Sequence, residues 1–229
     1  MQPGPGRPRA TTPERILEIA QELFVTRGYA ETSMTQIAEA AGVSRTTLFA
    51  YFGAKSDLIW RDFDLNFGAL ARSLESRPLD EEIAISVLTA LVEVQIMGPE
   101  RRALVARRWE LIDKTPDLRI ATAERTARYA DVLAQFIADR RGEPVSAFLP
   151  QVVAHAALSA SVAASRCWAV SEVAEPLADW IGHALSPLLD GYRAPLEEGR
   201  RVGPRPTGGP SSTRPRDLSH RPGTVTEAT

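Results

Sequence analysis

The stretch SMTQIAEAAGVSRTTLFAYF, residues 33–52, determines how this chain is interpreted. Ser33 and Gln36 have the spacing of a capping box, which begins a short helix. Gly42 ends that helix, because glycine adopts backbone conformations that other residues resist. Ser44 then caps a second short helix. Two short helices joined by a tight glycine turn are the pattern of a helix-turn-helix unit.

The outer face of the second helix carries residue types that recognise DNA bases. Ile37, Val43 and Leu48 are spaced to hold both helices on a supporting helix, so the other face points outward. In a helix-turn-helix unit that face enters the major groove, where arginine bonds guanine and methyl groups contact thymine. An ordinary helical hairpin has the same spacing and remains the alternative. The outward residues are predicted to be Arg45, Thr46, Thr47, Ala50 and Tyr51.

The rest of the chain shows helical periodicity and almost no strand signals. Thr12 as N-cap and Pro13 at the first position begin the supporting helix, and Gly28 ends it. We therefore predict an all-α fold. Pro187 is expected to kink or divide the last helix. Further helices are predicted at 55–76, 80–97, 99–114, 117–141, 146–168 and 171–190.

The overall composition excludes several classes of protein. Hydrophobic residues make up 44% of the chain, but no run reaches the ~18 apolar residues of a membrane span. The N-terminus lacks the apolar segment of a secretory signal. The single cysteine, Cys167, allows no intramolecular disulfide and no cysteine-based zinc site, which is typical of a reducing compartment. We expect a cytoplasmic protein without a membrane partner.

The charge distribution limits how DNA is bound. The net charge is −2, and residues 1–60 hold six basic and six acidic side chains. Many nucleic-acid binders carry a basic surplus, which this chain lacks. A phosphate-binding surface must therefore arise from where the basic residues are placed.

A helical enzyme or metal-binding bundle is the competing class. The chain has three histidines and no HExxH, glycine-rich phosphate loop or GxSxG motif. Glu110 and Asp113 have helical spacing, but neither is followed by the histidine that a di-iron bundle needs. We predict no catalytic activity, no cofactor and no metal site.

Residues 12–60 resemble the DNA-binding domain of the TetR family of repressors. Several motifs match in order and spacing: Leu23-Phe24, Gly28-Tyr29, IAEAAGVS at 37–44, TLFAYF at 47–52, and Lys55 followed by Asp57-Leu58. The resemblance implies a three-helix N-terminal helix-turn-helix domain and a C-terminal helical domain that binds a ligand and dimerises. It also implies that the chain is a repressor, which a small effector releases from double-stranded operator DNA.

The resemblance implies a role for individual residues. Contacts to bases or nearby phosphates are implied for three residues at the start of the second helix of the helix-turn-helix: Arg45, Thr46 and Thr47. Backbone or phosphate contacts are implied for Ser33, Thr35, Tyr51 and Lys55. The chain departs from the family pattern at two positions on this surface. Phe49, on the DNA-facing side, replaces a tyrosine whose hydroxyl bonds phosphate, and Ala54 replaces a serine cap.

The C-terminal half resembles the family mainly in layout. Residues 101–119 and 60–63 are similar to a subgroup of mycofactocin-associated regulators, which implies an acyl-thioester or other lipid-like hydrophobic effector. The predicted pocket residues suit an anionic, partly apolar ligand. The alternative, that the arginines are solvated and the aromatic residues belong to the core, remains open. The candidates are Arg107, Arg108, Trp109, Arg128 and Tyr129.

Small residues at 155–165 allow close helix approach, and the family's last two long helices form a four-helix bundle with their twins. We therefore predict a homodimer interface within 146–190.

Beyond residue 193 the sequence is rich in proline, glycine and serine. Like residues 1–10, it would bury too little surface to become ordered. The predicted units are a disordered arm 1–10, a DNA-binding domain 11–58, an effector and dimerisation domain 59–192, and a disordered tail 193–229.

Overall fold

The computed structural model describes residues 12–95 and 97–198. Within them the chain forms nine α-helices and one short 3₁₀ turn at Pro99–Arg101, without strands, as predicted for an all-α fold. The helices are α1 Pro13–Arg27, α2 Met34–Ala41, α3 Arg45–Tyr51, α4 Asp57–Ser76, α5 Ile83–Glu93, α6 Arg102–Lys114, α7 Pro116–Arg141, α8 Phe148–Val170 and α9 Leu177–Glu197.

The first three helices begin and end where their capping residues predict. The Thr12 hydroxyl accepts the Arg15 N–H at 3.3 Å, and both bonds of the Ser33–Gln36 capping box are present. Gly42 ends α2 in the left-handed conformation with φ of 66°. The Ser44 hydroxyl accepts the Thr47 N–H at 3.0 Å and begins α3. The predicted helix-turn-helix is therefore confirmed.

A shared core holds the three N-terminal helices together and attaches them to the rest of the chain. Ile16, Phe24, Ile37, Leu48 and Phe52 are almost fully buried. Helix α1 packs against α2, and its other contacts are with α4 and α6. The head formed by α1–α3 is thus in contact with two helices of the larger C-terminal bundle.

The C-terminal bundle is built around α8. Helix α8 packs against α7 and α9, and α9 also packs against α5. Trp168 is fully buried in this core, and its indole N–H donates to the Glu175 carbonyl at 2.9 Å. Arg166 on α8 pairs with both carboxylate oxygens of Asp113 at 2.9 Å, which joins α8 to α6.

By length and mean hydropathy, α8 would be able to cross a membrane, although the sequence analysis found no such segment. One face of this helix is buried against α7 and α9. Its last turns carry Arg166, paired across to α6. We interpret α8 as a core helix of the bundle, because packing inside the chain accounts for its apolar character.

Helix α9 differs from its prediction in three ways. It begins after Pro176 and continues through Pro187, which neither divides nor ends it. Pro187 has no N–H, so the carbonyl four residues earlier lacks its helical hydrogen bond. Because Pro187 is exposed, this carbonyl lies on the solvent side of the chain. Leu185 and Leu189 on the opposite face are buried, and this packing keeps the helix continuous.

The helix also extends into the predicted tail. Residues 193–197 are helical, and Leu196 is fully buried. The Arg141 guanidinium donates to the carbonyls of Pro195 and Leu196, and the Glu197 carboxylate accepts the Ile83 N–H at 2.7 Å. The predicted start of a disordered tail at residue 193 is therefore wrong by several residues. The remaining tail from residue 199 and the predicted arm 1–10 lie outside the described residues.

Candidate nucleic-acid interface and ligand cavity

Helix α3 is held from one side and exposed on the other. Leu48 and Phe52 are fully buried and fix the helix on the head. All the predicted DNA-facing residues of this helix are exposed: Arg45, Thr46, Thr47, Phe49, Ala50 and Tyr51. An exposed face of this width on a short helix matches the shape that enters a major groove.

The start of α2 adds two exposed hydroxyl residues to the same head. The Ser33 hydroxyl is committed to the capping box, since it accepts the Gln36 N–H at 3.3 Å and donates to Gln36 Oε1 at 3.1 Å. Thr35 is exposed in the first turn. Amide groups at a helix N-terminus favour anions, so a phosphate near Thr35 would meet both a hydroxyl and the helix end.

Phe49, which replaces the family's tyrosine, packs beneath the Arg45 guanidinium. The Arg45 guanidinium lies 5.6 Å from the centre of the Phe49 ring, and 40% of Phe49 is exposed. A guanidinium over an aromatic face is attracted to it, and the contact limits how the arginine side chain can move. The spacing of four residues on one helix could have indicated this pair, because such residues are neighbours.

Lys55, the predicted phosphate contact, is held by hydrogen bonds within the chain. It precedes α4, which begins at Asp57 and not at residue 55. Its ammonium donates to the carbonyls of Tyr29 at 2.7 Å and Thr32 at 3.1 Å, and lies 4.4 Å from the centre of the Tyr29 ring. The ammonium therefore joins the α1–α2 turn to the α3–α4 turn, and a phosphate would have to compete with these carbonyls.

This geometry gives Lys55 a role in stability. We expect Lys55→Met to lower the free energy of unfolding by about 1.5–3 kcal/mol, since it removes a charged donor from partly buried carbonyls. Lys114→Met is the matched control, because Lys114 pairs with Glu110 on an exposed surface and should matter little. Urea unfolding measures both. Unchanged stability of Lys55→Met, together with a flatter salt dependence of DNA binding, would instead indicate a phosphate contact.

Arg61 supports the end of α3 and was not anticipated. Its guanidinium donates to the Tyr51 carbonyl at 2.6 Å and lies 5.2 Å from the centre of the Phe52 ring. Arg61 belongs to α4, so this contact fixes the last turn of α3 to the helix that enters the C-terminal bundle.

The C-terminal bundle contains a cavity between six helices. It has about 660 Å³ of empty space, counting the open solvent at its mouth. The space open to a water-sized sphere is about 80 Å³, below the usual range of small-molecule sites, so a ligand would have to push the cavity walls apart. The lining comes from α4 to α9 and the segment after α5: Phe63, Asn66, Leu91, Gln95, Met97, Arg108, Trp109, Thr126, Tyr129, Leu158, Ser161, Val162, Ser165, Leu177 and Ile181.

Three of the five predicted pocket residues line this cavity. Arg108, Trp109 and Tyr129 do so, whereas Arg107 and Arg128 do not. Arg128 is exposed, pairs with Asp64 at 3.6 Å and lies over the Phe67 ring. The alternative of a solvated Arg108 is wrong, because only 7% of that residue is exposed.

The heptad-like pattern of α6 could have separated the two neighbouring arginines. Val105, Trp109 and Ile112 are the buried stripe of this helix. Arg108 falls on the stripe, three residues after Val105 and four before Ile112, whereas Arg107 falls beside it. The lining residues of α8 and α9 had no comparable signal, because their apolar character is equally expected of a core.

Two aromatic side chains of the cavity have their polar atoms committed. The Trp109 indole N–H donates to the Ser165 hydroxyl at 3.2 Å. The Tyr129 hydroxyl donates to the Phe63 carbonyl at 2.5 Å. Burial raises the pKa of Tyr129 well above its usual value, so the hydroxyl stays protonated and keeps donating.

Helix α4 connects the cavity to the head formed by α1–α3. Phe63 and Asn66 form part of the cavity wall, while Arg61 on the preceding turn bonds the end of α3. Asp62 of the same helix pairs with Arg101 at 3.0 Å. The Asp64 carboxylate lies 3.4 Å from Arg125 of α7. Helix α4 is therefore in contact with both the cavity and the end of α3.

A second surface lies on the outside of α8 and α9. His155, Ser159, Ala163 and Cys167 are exposed at every fourth position of α8. Such a row of mostly small side chains permits close approach of another helix. The predicted interface at 146–190 thus contains an unoccupied helix face in the single chain.

The described residues include no candidate metal site. Among them, no group of three or more His, Cys, Asp or Glu side chains is placed to hold an ion.

Each half of the chain matches the sequence model of a known family. The sequence model described as "Bacterial regulatory proteins, tetR family" matches residues 16–60. The model described as "MftR C-terminal domain" matches residues 81–193. These two matches correspond to the head and to the bundle with its cavity.

Curated proteins and solved structures show the same similarity. A Mycobacterium tuberculosis protein named as the mycofactocin biosynthesis transcriptional regulator MftR is 31% identical over 71% of this chain and 82% of its own length. The transcriptional regulator TcmR of Streptomyces glaucescens is 31% identical over 61% of this chain and 66% of its own length. The structure of the fatty acid degradation regulator FadR from Bacillus halodurans has a TM-score of 0.51 at 18% identity, covering 79% of this chain and 95% of that chain. This last likeness concerns the fold.

Proposed function

The chain belongs to the TetR family of bacterial transcriptional regulators, and we propose that it is a homodimeric repressor that a small hydrophobic ligand releases from its operator. The family and its relatives here are transcriptional regulators and not enzymes. One observation carries the proposal: α4 forms part of the cavity wall and also holds the end of the DNA-facing helix. The protein would act in the cytoplasm, where its DNA is.

In this proposal the exposed face of α3 enters the major groove. Arg45 would bond a guanine, and Thr46, Thr47 and Ala50 would supply hydroxyl or methyl contacts. Tyr51, Ser33 and Thr35 would contact the sugar-phosphate backbone, which fixes position without selecting sequence. Phe49 would act on DNA through Arg45, by limiting the positions of its guanidinium. Residues 11–58 would form this DNA-binding unit, and 59–192 the effector-binding and dimerisation unit.

Induction would follow from the spacing of two heads. The two α3 helices of a symmetric dimer must lie about one helical turn of DNA apart, roughly 34–36 Å, or at the spacing of the operator. A ligand that fills the cavity would push on Phe63 and so on α4. The ligand must prefer the displaced form, because otherwise it shifts no equilibrium. By reciprocity, operator DNA would weaken ligand binding by the same factor.

The Tyr129–Phe63 hydrogen bond is the most direct link between cavity and α4. It joins a cavity residue of α7 to the α4 backbone. A ligand that takes over the Tyr129 hydroxyl would free the Phe63 carbonyl and loosen α4. The predicted ligands, acyl-thioesters and other lipid-like molecules, carry carbonyl groups that accept such a bond.

The experiment starts from random-sequence DNA selected by the protein itself. Hydrophobic metabolites, including long-chain acyl-thioesters, are titrated into the protein–DNA complex while DNA release is followed. We expect one of them to release the DNA. In Tyr129→Phe the Phe63 carbonyl is free from the start, so DNA affinity without ligand should fall, and added ligand should lower it about tenfold less than in the wild type.

Thr122→Val is a control, because the Thr122 hydroxyl donates within α7 to Leu118 and does not line the cavity. It should behave as the wild type. Selection of no DNA sequence would contradict the DNA-binding function. Tight ligand binding with unchanged DNA affinity would contradict induction and leave DNA binding intact.

A further inference from the structure

Arg108 is a buried cation without a partner among the described residues. It is 7% exposed, and no hydrogen bond or ion pair joins its guanidinium to another side chain or carbonyl of the described residues. None of its nitrogens is fully buried without a hydrogen bond in that part of the chain. Each unbonded nitrogen therefore keeps some accessible surface. Arg108 lines the cavity, so a ligand in the cavity would lie beside this residue.

Within the part of the chain that the structure describes, no carboxylate forms an ion pair with this charge. Asp62 is the carboxylate with the largest influence on Arg108, but it pairs with Arg101 at 3.0 Å. The described residues that line the cavity include no Asp or Glu. Burial lowers the pKa of Arg108, which is the mark of an uncompensated charge, although a guanidinium stays protonated in proteins. An unpaired buried charge is costly, and chains seldom keep one that serves only packing.

We propose that Arg108 binds the anionic group of the effector, which is therefore an amphiphile with one carboxylate or phosphate on an apolar body. This inference rests on the proposed function and specifies the class of its ligand. The planar guanidinium offers a pair of parallel donors that fit either anion. Trp109, Leu158 and Ile181 supply apolar walls for the body of the molecule.

Ionised and neutral groups of a ligand differ in how well they would bind Arg108. A carboxylate at Arg108 makes a charge-assisted hydrogen bond, whereas a thioester presents a neutral carbonyl at the same place. A neutral molecule would also leave the buried charge unpaired after the cavity closes around it. An ionised head group at Arg108 is therefore favoured over a neutral one of the same length.

The test measures binding to the DNA-free wild-type protein by calorimetry. The probes are decanoate, decyl phosphate, methyl decanoate and decanol, which share one chain and differ in the head group. We expect an anionic probe to bind about 10- to 100-fold more tightly than the neutral ones, as for a hydrogen bond to a charged group. The two anionic probes distinguish a carboxylate from a phosphate. Equal or tighter binding of decanol would overturn the proposal without any variant.

Arg108→Met then removes the charge while keeping a long side chain. We expect it to lose the preference for anionic probes, retain decanol binding, and melt at the same or a higher temperature than the wild type. Arg107→Met is the matched control, since the adjacent arginine lies outside the cavity, and it should keep the preference. An unchanged preference in Arg108→Met would overturn the proposal. Decanoate that binds through Arg108 without releasing operator DNA would support this assignment and contradict the proposed induction.

Discussion

Arg45→Ala is expected to weaken operator binding more than any other single change on the DNA-facing surface. Arg45 is exposed at the start of α3 and is the only cation among that helix's residues. Losing a bidentate contact to a base costs roughly 1–3 kcal/mol, and a symmetric dimer loses it twice, so the total is roughly 2–6 kcal/mol. Fluorescence anisotropy against the selected operator and against single-base variants measures both affinity and preference.

The control for this prediction is another exposed arginine far from DNA. Arg72 on α4 is exposed in the C-terminal bundle, so Arg72→Ala should leave operator binding unchanged. Phe49→Leu should give an intermediate loss, because it keeps an apolar side chain but removes the ring beneath the guanidinium. If Arg45→Ala binds every operator variant as the wild type does, α3 is not the recognition helix.

The helices of the head were predictable because their signals are local. A cap and the amide that it bonds are three residues apart, as for Ser33 with Gln36 and Ser44 with Thr47. Gly42 likewise acts through its own backbone angle. A window of a few residues contains all of this information, so the ends of α1, α2 and α3 agree with the sequence analysis.

The contacts of Lys55 and the path of α9 depend on distant residues. Lys55 bonds carbonyls 23 and 26 positions earlier in the chain. A motif that suggests a phosphate contact does not show these competing carbonyls. Pro187 is a helix breaker by local rules, but packing of α9 against α5 and α8 outweighs that preference.

The cavity was predictable only in part from local sequence. Its existence depends on six helices meeting, which no local pattern shows. Once α6 is accepted as a helix, however, its apolar stripe already places Arg108 inward and Arg107 beside it. A charged residue on an apolar stripe is therefore a signal that sequence analysis can use, because a buried charge without a partner requires an explanation.

Ala163→Arg is expected to abolish dimerisation and, with it, high-affinity operator binding. Ala163 lies in the exposed row of small residues on α8, within the proposed interface. A two-fold interface repeats every substitution, so two long cations would face each other where close helix packing is needed. A single head binds one half-site, and loss of the linked second head should lower operator affinity about 100- to 10,000-fold. Sedimentation velocity and operator titration measure the two effects.

Ala127→Arg provides the matched control, because Ala127 is also an exposed alanine within a long helix but lies on α7, outside the proposed interface. It should remain dimeric and bind the operator normally. Circular dichroism should show both variants fully helical, since neither side chain contributes to the core of the single chain. A dimeric Ala163→Arg with normal operator affinity would place the subunit interface away from this face of α8. A monomeric variant that still binds the full operator tightly would show that the two heads do not need to be joined, and the spacing argument for induction would fail with it.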